Sequence, residues 1–124
     1  KNLKEIITHS NAILIDRGDL SREVAIEKIP IMQRKIIKMS SYHKKPVYVA
    51  TNLLETMITK NYPNRAEVND VISSLEMGAS GLVLAAETAI GKYPIEAVKI
   101  INKLIKEFKI WKKEKFNKIN IIKI

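Results

Sequence analysis

Hydrophobic positions repeat one pattern three times along the chain: a short apolar run rich in β-branched residues, then a polar cluster, then an amphipathic helical segment. The three transitions from apolar run to polar cluster lie at 12–19, 47–52 and 82–88. Apolar runs that do not alternate with polar residues are typical of parallel strands covered on both faces. The pattern therefore predicts an α/β fold of three parallel β/α units, with strands at 12–15, 47–50 and 82–85 and right-handed crossovers.

The helices are predicted from apolar spacing and from their end signals. Residues 3–10 are predicted to end a helix, and 16–21 to break the pattern. Pro30 suits a first helical turn, and that helix is expected to end near His43. Asn64 and Glu67 predict a capping box, and Gly78 predicts the end of the helix that follows. The predicted inward-facing side chains are Met32, Ile36, Ile37 and Met39, then Val68, Val71, Ile72 and Leu75, then Ala97, Val98, Ile101, Leu104, Ile105 and Phe108.

Polar residues follow each predicted strand and are the candidates for function. They are Asp16, Arg17, Gly18 and Asp19, then Thr51 and Asn52, then Glu87 and Thr88. The carboxyl ends of parallel strands share one rim, which is the active-site face of β/α barrels. Simpler interpretations stand beside this one: Asp19 as a helix cap, Thr51 as a cap of the following turn, and Glu87 as a buried salt-bridge partner.

Composition narrows the class of protein. The chain is 46% hydrophobic and 28% charged, which is typical of a globular domain and argues against disorder. It has no cysteine, which excludes disulfides and thiolate metal sites. No segment approaches the about 20 apolar residues that cross a bilayer. We expect a cytoplasmic protein with no membrane partner.

Positive charge is concentrated at the carboxyl end. Net charge is +9, and residues 103–124 contribute +6 of it through eight lysines and two glutamates. We therefore divide the chain into a folded segment, 1–108, and a lysine-rich tail, 109–124. A solvated tail is the favoured interpretation, and an anionic partner such as RNA is the weaker alternative.

Several motifs, in order and at matching spacing, resemble pyruvate kinase. They lie at 15–20, 45–58, 65–71 and 87–98, and the resemblance covers about 3–105. It implies the last three β/α units of a (β/α)8 barrel, as part of that barrel or as a divergent short form. The implied activity is glycolytic phosphoryl transfer from phosphoenolpyruvate to ADP, giving pyruvate and ATP. The implied ions are Mg²⁺ and, in the family enzyme, K⁺.

Site residues are implied by position in the matching motifs. Asp19 corresponds to a metal-ligand carboxylate, and the backbone N–H groups of Gly18 and Asp19 to donors for the substrate carboxylate. Thr51 corresponds to a hydroxyl beside that carboxylate and the enolate carbon. Glu87 is a candidate acid/base group. Arg65 matches an arginine near a subunit contact, which implies a partner chain.

Departures from the family pattern lead to a second hypothesis. Asp16 stands where the family usually has Ala, Ser21 where it has Gly, and Asn52 where it has Gln. The pair Ala85-Ala86 replaces Ser-Gly. Nothing in the chain corresponds to the family's catalytic lysine, second metal-binding glutamate, nucleotide contacts or K⁺ ligands. The alternative is a non-catalytic oligomerisation or anion-binding module.

Strand number also predicts a partner. Three strands cannot close a barrel that takes eight, so the chain is expected to be a piece of a larger domain or a small open sheet. An open parallel sheet has unpaired edges that must be covered. We expect a homo-oligomer or a complementing barrel segment to provide that cover.

Overall fold

Three parallel strands form one sheet in the order β1-β2-β3. The computed structural model describes residues 2–115. The strands are β1 (Ile13–Asp16), β2 (Val47–Ala50) and β3 (Gly81–Val83), and the helices are α1 (Leu3–Thr8), α2 (Arg17–Glu23), α3 (Ile29–Tyr42), α4 (Arg65–Met77), α5 (Ala86–Ala89) and α6 (Pro94–Lys115). Short 3₁₀ turns lie at Ile26–Lys28 and Glu55–Ile58. The predicted α/β class and the three β/α units are confirmed.

Strand register brings the carboxyl ends of the strands together. Ile13 pairs with Val47 in the first ladder, and Tyr48 pairs with Gly81 in the second. All three strands run in the same direction. The residues that follow them therefore lie along one edge of the sheet.

The hydrophobic core lies on one face of the sheet, beneath α3, α4 and α6. Its buried members are Ile15, Ile37, Val47, Val49, Leu53, Leu54, Met57, Val71, Ala97 and Ile101. The opposite face carries Leu14, Tyr48 and Val83, which are exposed to solvent. The prediction of cover on both faces is thus right for one face only, because the crossover helices α3 and α4 lie on the same side of the sheet and α6 packs against α4.

Local end signals define α3 and α4 as predicted. Pro30 lies in the first turn of α3, which ends at the cap residue His43. Asn64 and Glu67 form the complete capping box of α4. Gly78 ends α4 in the left-handed conformation, with a φ of 113°, which costs glycine little because it has no Cβ.

Three local predictions need correction. The segment 16–21 was expected to break the pattern, but α2 begins directly after β1 because Asp16 caps it. Strand β3 ends at Val83, two residues early, because Ala85 already caps α5. On α6, Val98 is exposed and Ile100 is partly buried in its place.

Helix α6 continues past residue 108 to Lys115, and residues 116–124 lie outside the described part of the chain. The proposed division at 108/109 stays a prediction. Among residues 2–115, no helix has the length and apolar character that crossing a membrane requires.

Candidate active site

A cavity of about 260 Å³ lies at the carboxyl ends of the strands. Its walls come from all three β/α units: Asp16, Gly18, Asp19, Arg22, Thr51, Asn52, Glu55, Ile58, Ala85, Ala86 and Glu87. Of the eight polar residues that the sequence places at a common rim, six line this cavity, and Arg17 and Thr88 do not. The six are Asp16, Gly18, Asp19, Thr51, Asn52 and Glu87.

Asp16 organises the first wall of this cavity. Its Oδ1 accepts hydrogen bonds from the backbone N–H groups of Gly18, at 3.0 Å, and Asp19, at 3.2 Å. The same oxygen lies 3.3 Å from the Thr51 hydroxyl. Two donors that the resemblance assigns to a substrate carboxylate are thus bonded to a carboxylate of the chain itself.

Thr51 lies at the centre of the rim in an uncommon backbone conformation. Its φ is 70° and that of Asn52 is 57°, both in the left-handed region. The Thr51 hydroxyl accepts a 2.7 Å hydrogen bond from the Gly18 N–H and lies 2.7 Å from the carbonyl of Ala50. Left-handed non-glycine residues are sparse in proteins and concentrate at functional sites.

Arg17 connects this rim to α4. Its Nε and Nη2 donate to the Thr51 carbonyl at 3.1 and 2.8 Å, and its Nη1 donates to Asp70 Oδ1 at 2.8 Å. The side chain of Arg17 is only 12% exposed. Its hydrogen bonds therefore join the start of α2, the end of β2 and the middle of α4.

Glu87 is buried, and its carboxylate accepts hydrogen bonds from the backbone. It is 2% exposed, and its two oxygens accept from the N–H groups of Leu54, at 2.8 Å, and Ala85, at 2.9 Å. Among residues 2–115 it forms no ion pair. The salt-bridge alternative is therefore replaced by two hydrogen bonds that stabilise the rim.

The family comparison decides what kind of rim this is. The model of the pyruvate kinase barrel domain matches residues 1–98. The chain belongs to the pyruvate kinase family. This match confirms the resemblance, and the sheet with its helices is a part of that barrel domain's α/β architecture.

Individual pyruvate kinases show how much of a relative the chain matches. It is 50% identical over 107 residues to that of Thermotoga maritima, covering 86% of this chain and 23% of the relative. Crystal structures from Pyrobaculum aerophilum and Cryptosporidium parvum superpose with TM-scores of 0.84 and 0.86, at 40% and 36% identity. They cover 86% and 88% of this chain, but 25% and 22% of theirs. The chain thus spans about a quarter of the pyruvate kinases it matches.

Asp19 is an exposed carboxylate at this rim, and Glu55 is a second exposed carboxylate that lines the same cavity. The side chain of Asp19 is 67% exposed and lies 3.4 Å from Arg22 Nη2. Within the described residues, no three His, Cys, Asp or Glu side chains converge as a metal cluster. Mg²⁺ uses hard oxygen ligands and often only one or two protein carboxylates. Asp19 could therefore supply one such oxygen ligand, and its assignment to Mg²⁺ stays a prediction.

Arg65 lies apart from the cavity. It is the first residue of α4 and is exposed, as a residue near a subunit contact has to be before assembly. Its predicted role in an interface stays a prediction.

Two residues of the site escaped prediction in their actual roles. Asp16 acts as the cap of α2, a role that its spacing of three residues before Asp19 could have indicated. Arg17 acts through Thr51 and Asp70, which lie 34 and 53 residues away. No local signal reveals partners at that separation.

Proposed function

We propose that this chain carries one part of a pyruvate-kinase-type active site, which transfers the phosphoryl group of phosphoenolpyruvate to ADP and yields pyruvate and ATP. The observation that carries the proposal is the meeting of Gly18, Asp19 and Thr51 at one cavity in a chain of this family. Phosphoryl transfer depends on positioning and on charge stabilisation more than on covalent help from the protein.

Asp19 would hold Mg²⁺ through its exposed carboxylate, which Arg22 releases easily because their contact is long and exposed to solvent. When bound, Mg²⁺ orients the reacting groups and neutralises developing negative charge. K⁺ belongs to the proposal through the family resemblance alone, and no residue of this chain is assigned to it.

Thr51 and Gly18 would receive the carboxylate of phosphoenolpyruvate. Their N–H and O–H groups lie within one hydrogen-bonded cluster beside the cavity. Because Asp16 already bonds to the Gly18 N–H, the substrate has to compete with this internal carboxylate. We assign Glu87 a supporting role, since both of its oxygens are engaged by backbone N–H groups.

The missing family groups determine what the chain does alone. We expect no robust turnover from the isolated chain, because the catalytic lysine and the second metal carboxylate of the family have no counterpart here. A complementing barrel segment would have to provide them. A cytoplasmic location for this activity is part of the proposal, because the substrates that the resemblance implies are those of glycolysis.

A chimera tests the proposal directly. The matching 107-residue segment of the Thermotoga maritima enzyme is replaced by that of this chain, and pyruvate formation is followed with phosphoenolpyruvate, ADP, Mg²⁺ and K⁺. We expect turnover by the chimera and none by the 124-residue chain. Asp19→Asn in the chimera is expected to lower kcat by about a hundredfold, the usual loss for a group that stabilises transition-state charge.

The control is Glu76→Gln, which alters an exposed carboxylate on α4 and should leave turnover unchanged. A folded chimera without activity, or an Asp19→Asn chimera with full activity, contradicts the proposal.

The non-catalytic module is the second candidate. It is favoured by the exposed apolar sheet face at Leu14, Tyr48 and Val83. Equal binding of Mg²⁺ and oxalate, an analogue of the enolate, by the chain and its Asp19→Ala variant would show that the inherited site is unused and would support this candidate.

A further inference from the structure

We infer that Arg17 is a positioning residue that holds Thr51 in its left-handed conformation, an inference that rests on the role proposed above for Thr51. Arg17 does not line the cavity at the carboxyl ends of the strands. It lines a second cavity, between α3 and α4. Any effect of Arg17 on the site must therefore pass through the residues it bonds.

The guanidinium of Arg17 donates hydrogen bonds from two nitrogens to one carbonyl oxygen. Nε and Nη2 lie 3.1 and 2.8 Å from the Thr51 oxygen, and Nη1 lies 2.8 Å from Asp70 Oδ1. The fork is planar and rigid, so fixing one edge on Asp70 fixes the direction of the other two donors. A lysine ammonium is a single point charge and cannot reproduce this geometry.

Thr51 needs such a restraint because its backbone is unfavourable. A positive φ brings Cβ close to the following carbonyl oxygen, and a β-branched residue tolerates it least. Asn52, the next residue, also has a positive φ, of 57°. Conformations of this kind persist only where the surroundings impose them.

The restraint has a consequence at the cavity. With the Thr51 carbonyl turned toward Arg17, the side chain of Thr51 lies on the cavity side, where its hydroxyl accepts the Gly18 N–H at 2.7 Å. If the backbone of Thr51 relaxed to a negative φ, that hydrogen bond would be lost. The Gly18 N–H has a second acceptor, Asp16 Oδ1 at 3.0 Å, so its exchange rate reports the position of the Thr51 hydroxyl when it is measured together with the Thr51 backbone conformation.

Arg17→Lys in the 124-residue chain tests the inference by solution NMR. We expect the Cα and Cβ shifts of Thr51 and Asn52 to leave left-handed values, and the Gly18 amide to exchange about tenfold faster or more. Arg34→Lys is the matched control, since Arg34 is exposed and donates one hydrogen bond to the Pro30 carbonyl. It should change neither observable.

A second substitution that favours the left-handed turn distinguishes a positioning role of Arg17 from a general loss of stability. Glycine adopts positive φ without a steric penalty, so Asn52→Gly added to Arg17→Lys should restore Gly18 protection. Unchanged Thr51 shifts and Gly18 exchange in Arg17→Lys, or no rescue by Asn52→Gly, would overturn the inference.

Asp70→Asn keeps the inference testable if Arg17→Lys does not fold. It removes only the ion pair that orients the guanidinium, and we expect about threefold to tenfold faster exchange of the Gly18 amide. Unchanged exchange in this folded variant contradicts the inference. These amide signals are measured without turnover. An inactive chimera would therefore contradict the proposed function but not this inference.

Discussion

The carboxylate of Glu87 accepts a hydrogen bond from the backbone N–H of Leu54, 33 residues earlier in the chain, at 2.8 Å. Its second oxygen accepts the N–H of Ala85 at 2.9 Å. The turn after β2 is thereby joined to the start of α5, and this buried carboxylate is stabilised by backbone donors in place of a cation.

Removal of this carboxylate should destabilise the fold. We expect Glu87→Ala to lower the free energy of unfolding by about 2–4 kcal/mol, because the buried N–H of Leu54 and the partly buried N–H of Ala85 lose their acceptor. Glu87→Gln keeps one acceptor oxygen and should cost about 1–2 kcal/mol. Urea unfolding measures both values. The exposed Glu76→Gln should stay within about 0.5 kcal/mol of the parent chain, and a Glu87→Ala variant as stable as this control contradicts the assignment.

The capping box of α4 gives a graded pair of variants. Asn64→Ala removes the cap of the Glu67 N–H and should cost about 1 kcal/mol. Glu67→Ala should cost more, since Glu67 accepts from the backbone of Asn64 and also from the Thr56 N–H at 2.7 Å. Asn64→Asp preserves the acceptor and serves as control. Thermal unfolding provides the order, and equal losses from Asn64→Ala and Glu67→Ala would refute it.

Helix α4 shows which parts of the fold the sequence predicts well. Asn64, Glu67 and Gly78 act on backbone groups within three or four residues of themselves, so their signals are local. Strand β2 was equally predictable, because a continuous apolar run bounded by Pro46 and polar residues has one simple interpretation. Its predicted bounds match the structure.

Helix packing was less predictable, because it depends on partners distant in sequence. Gln33 and Ser74 are both buried and hydrogen-bond to each other between α3 and α4 at 3.3 Å. An apolar pattern does not predict such a pair, in which the Gln33 amide donates to the Ser74 hydroxyl and that hydroxyl donates to the Asp70 carbonyl. The exposure of Val98 has a similar origin, because the face of α6 that meets the core depends on residues distant in sequence, and Ile100 lies on that face.

The candidate site also has features that the sequence predicts and features that depend on long-range contacts. Parallel topology alone predicted that Asp19, Thr51 and Glu87 would meet at one edge. The sequence did not predict that Asp16 bonds to the donors of Gly18 and Asp19, or that Arg17 bonds to Thr51. Those contacts depend on the left-handed turn after β2, which has no glycine to indicate it.

Gly81 and Tyr48 offer a test of close packing across the sheet. A Cβ on residue 81 would lie 2.7 and 2.8 Å from ring atoms of Tyr48. We expect Gly81→Ala to cost about 1–3 kcal/mol through overpacking. Tyr48→Ala in the same chain should recover part of that loss, because it removes the clashing ring. A double-mutant cycle by urea unfolding measures the coupling, and strictly additive effects would contradict the contact.

The exposed face of the sheet predicts self-association of the chain. Leu14 is 58% exposed on β1, in the same face as Tyr48 and Val83. Strand β1 has a paired neighbour on one side only, so apolar surface and unpaired backbone groups lie together. Sedimentation velocity of the purified chain should therefore show concentration-dependent association.

A lysine on the β1 edge of this face should weaken that association. Leu14→Lys places a charge where a partner would have to bury it, and desolvating an unpaired ammonium is strongly unfavourable. Ile26→Lys is the control, because Ile26 is also an exposed apolar residue, at 82%, but lies in the 3₁₀ turn before α3 and not in a strand. If both variants associate as the parent chain does, the sheet face is not the contact, and the cover that three parallel strands require has to come from another surface.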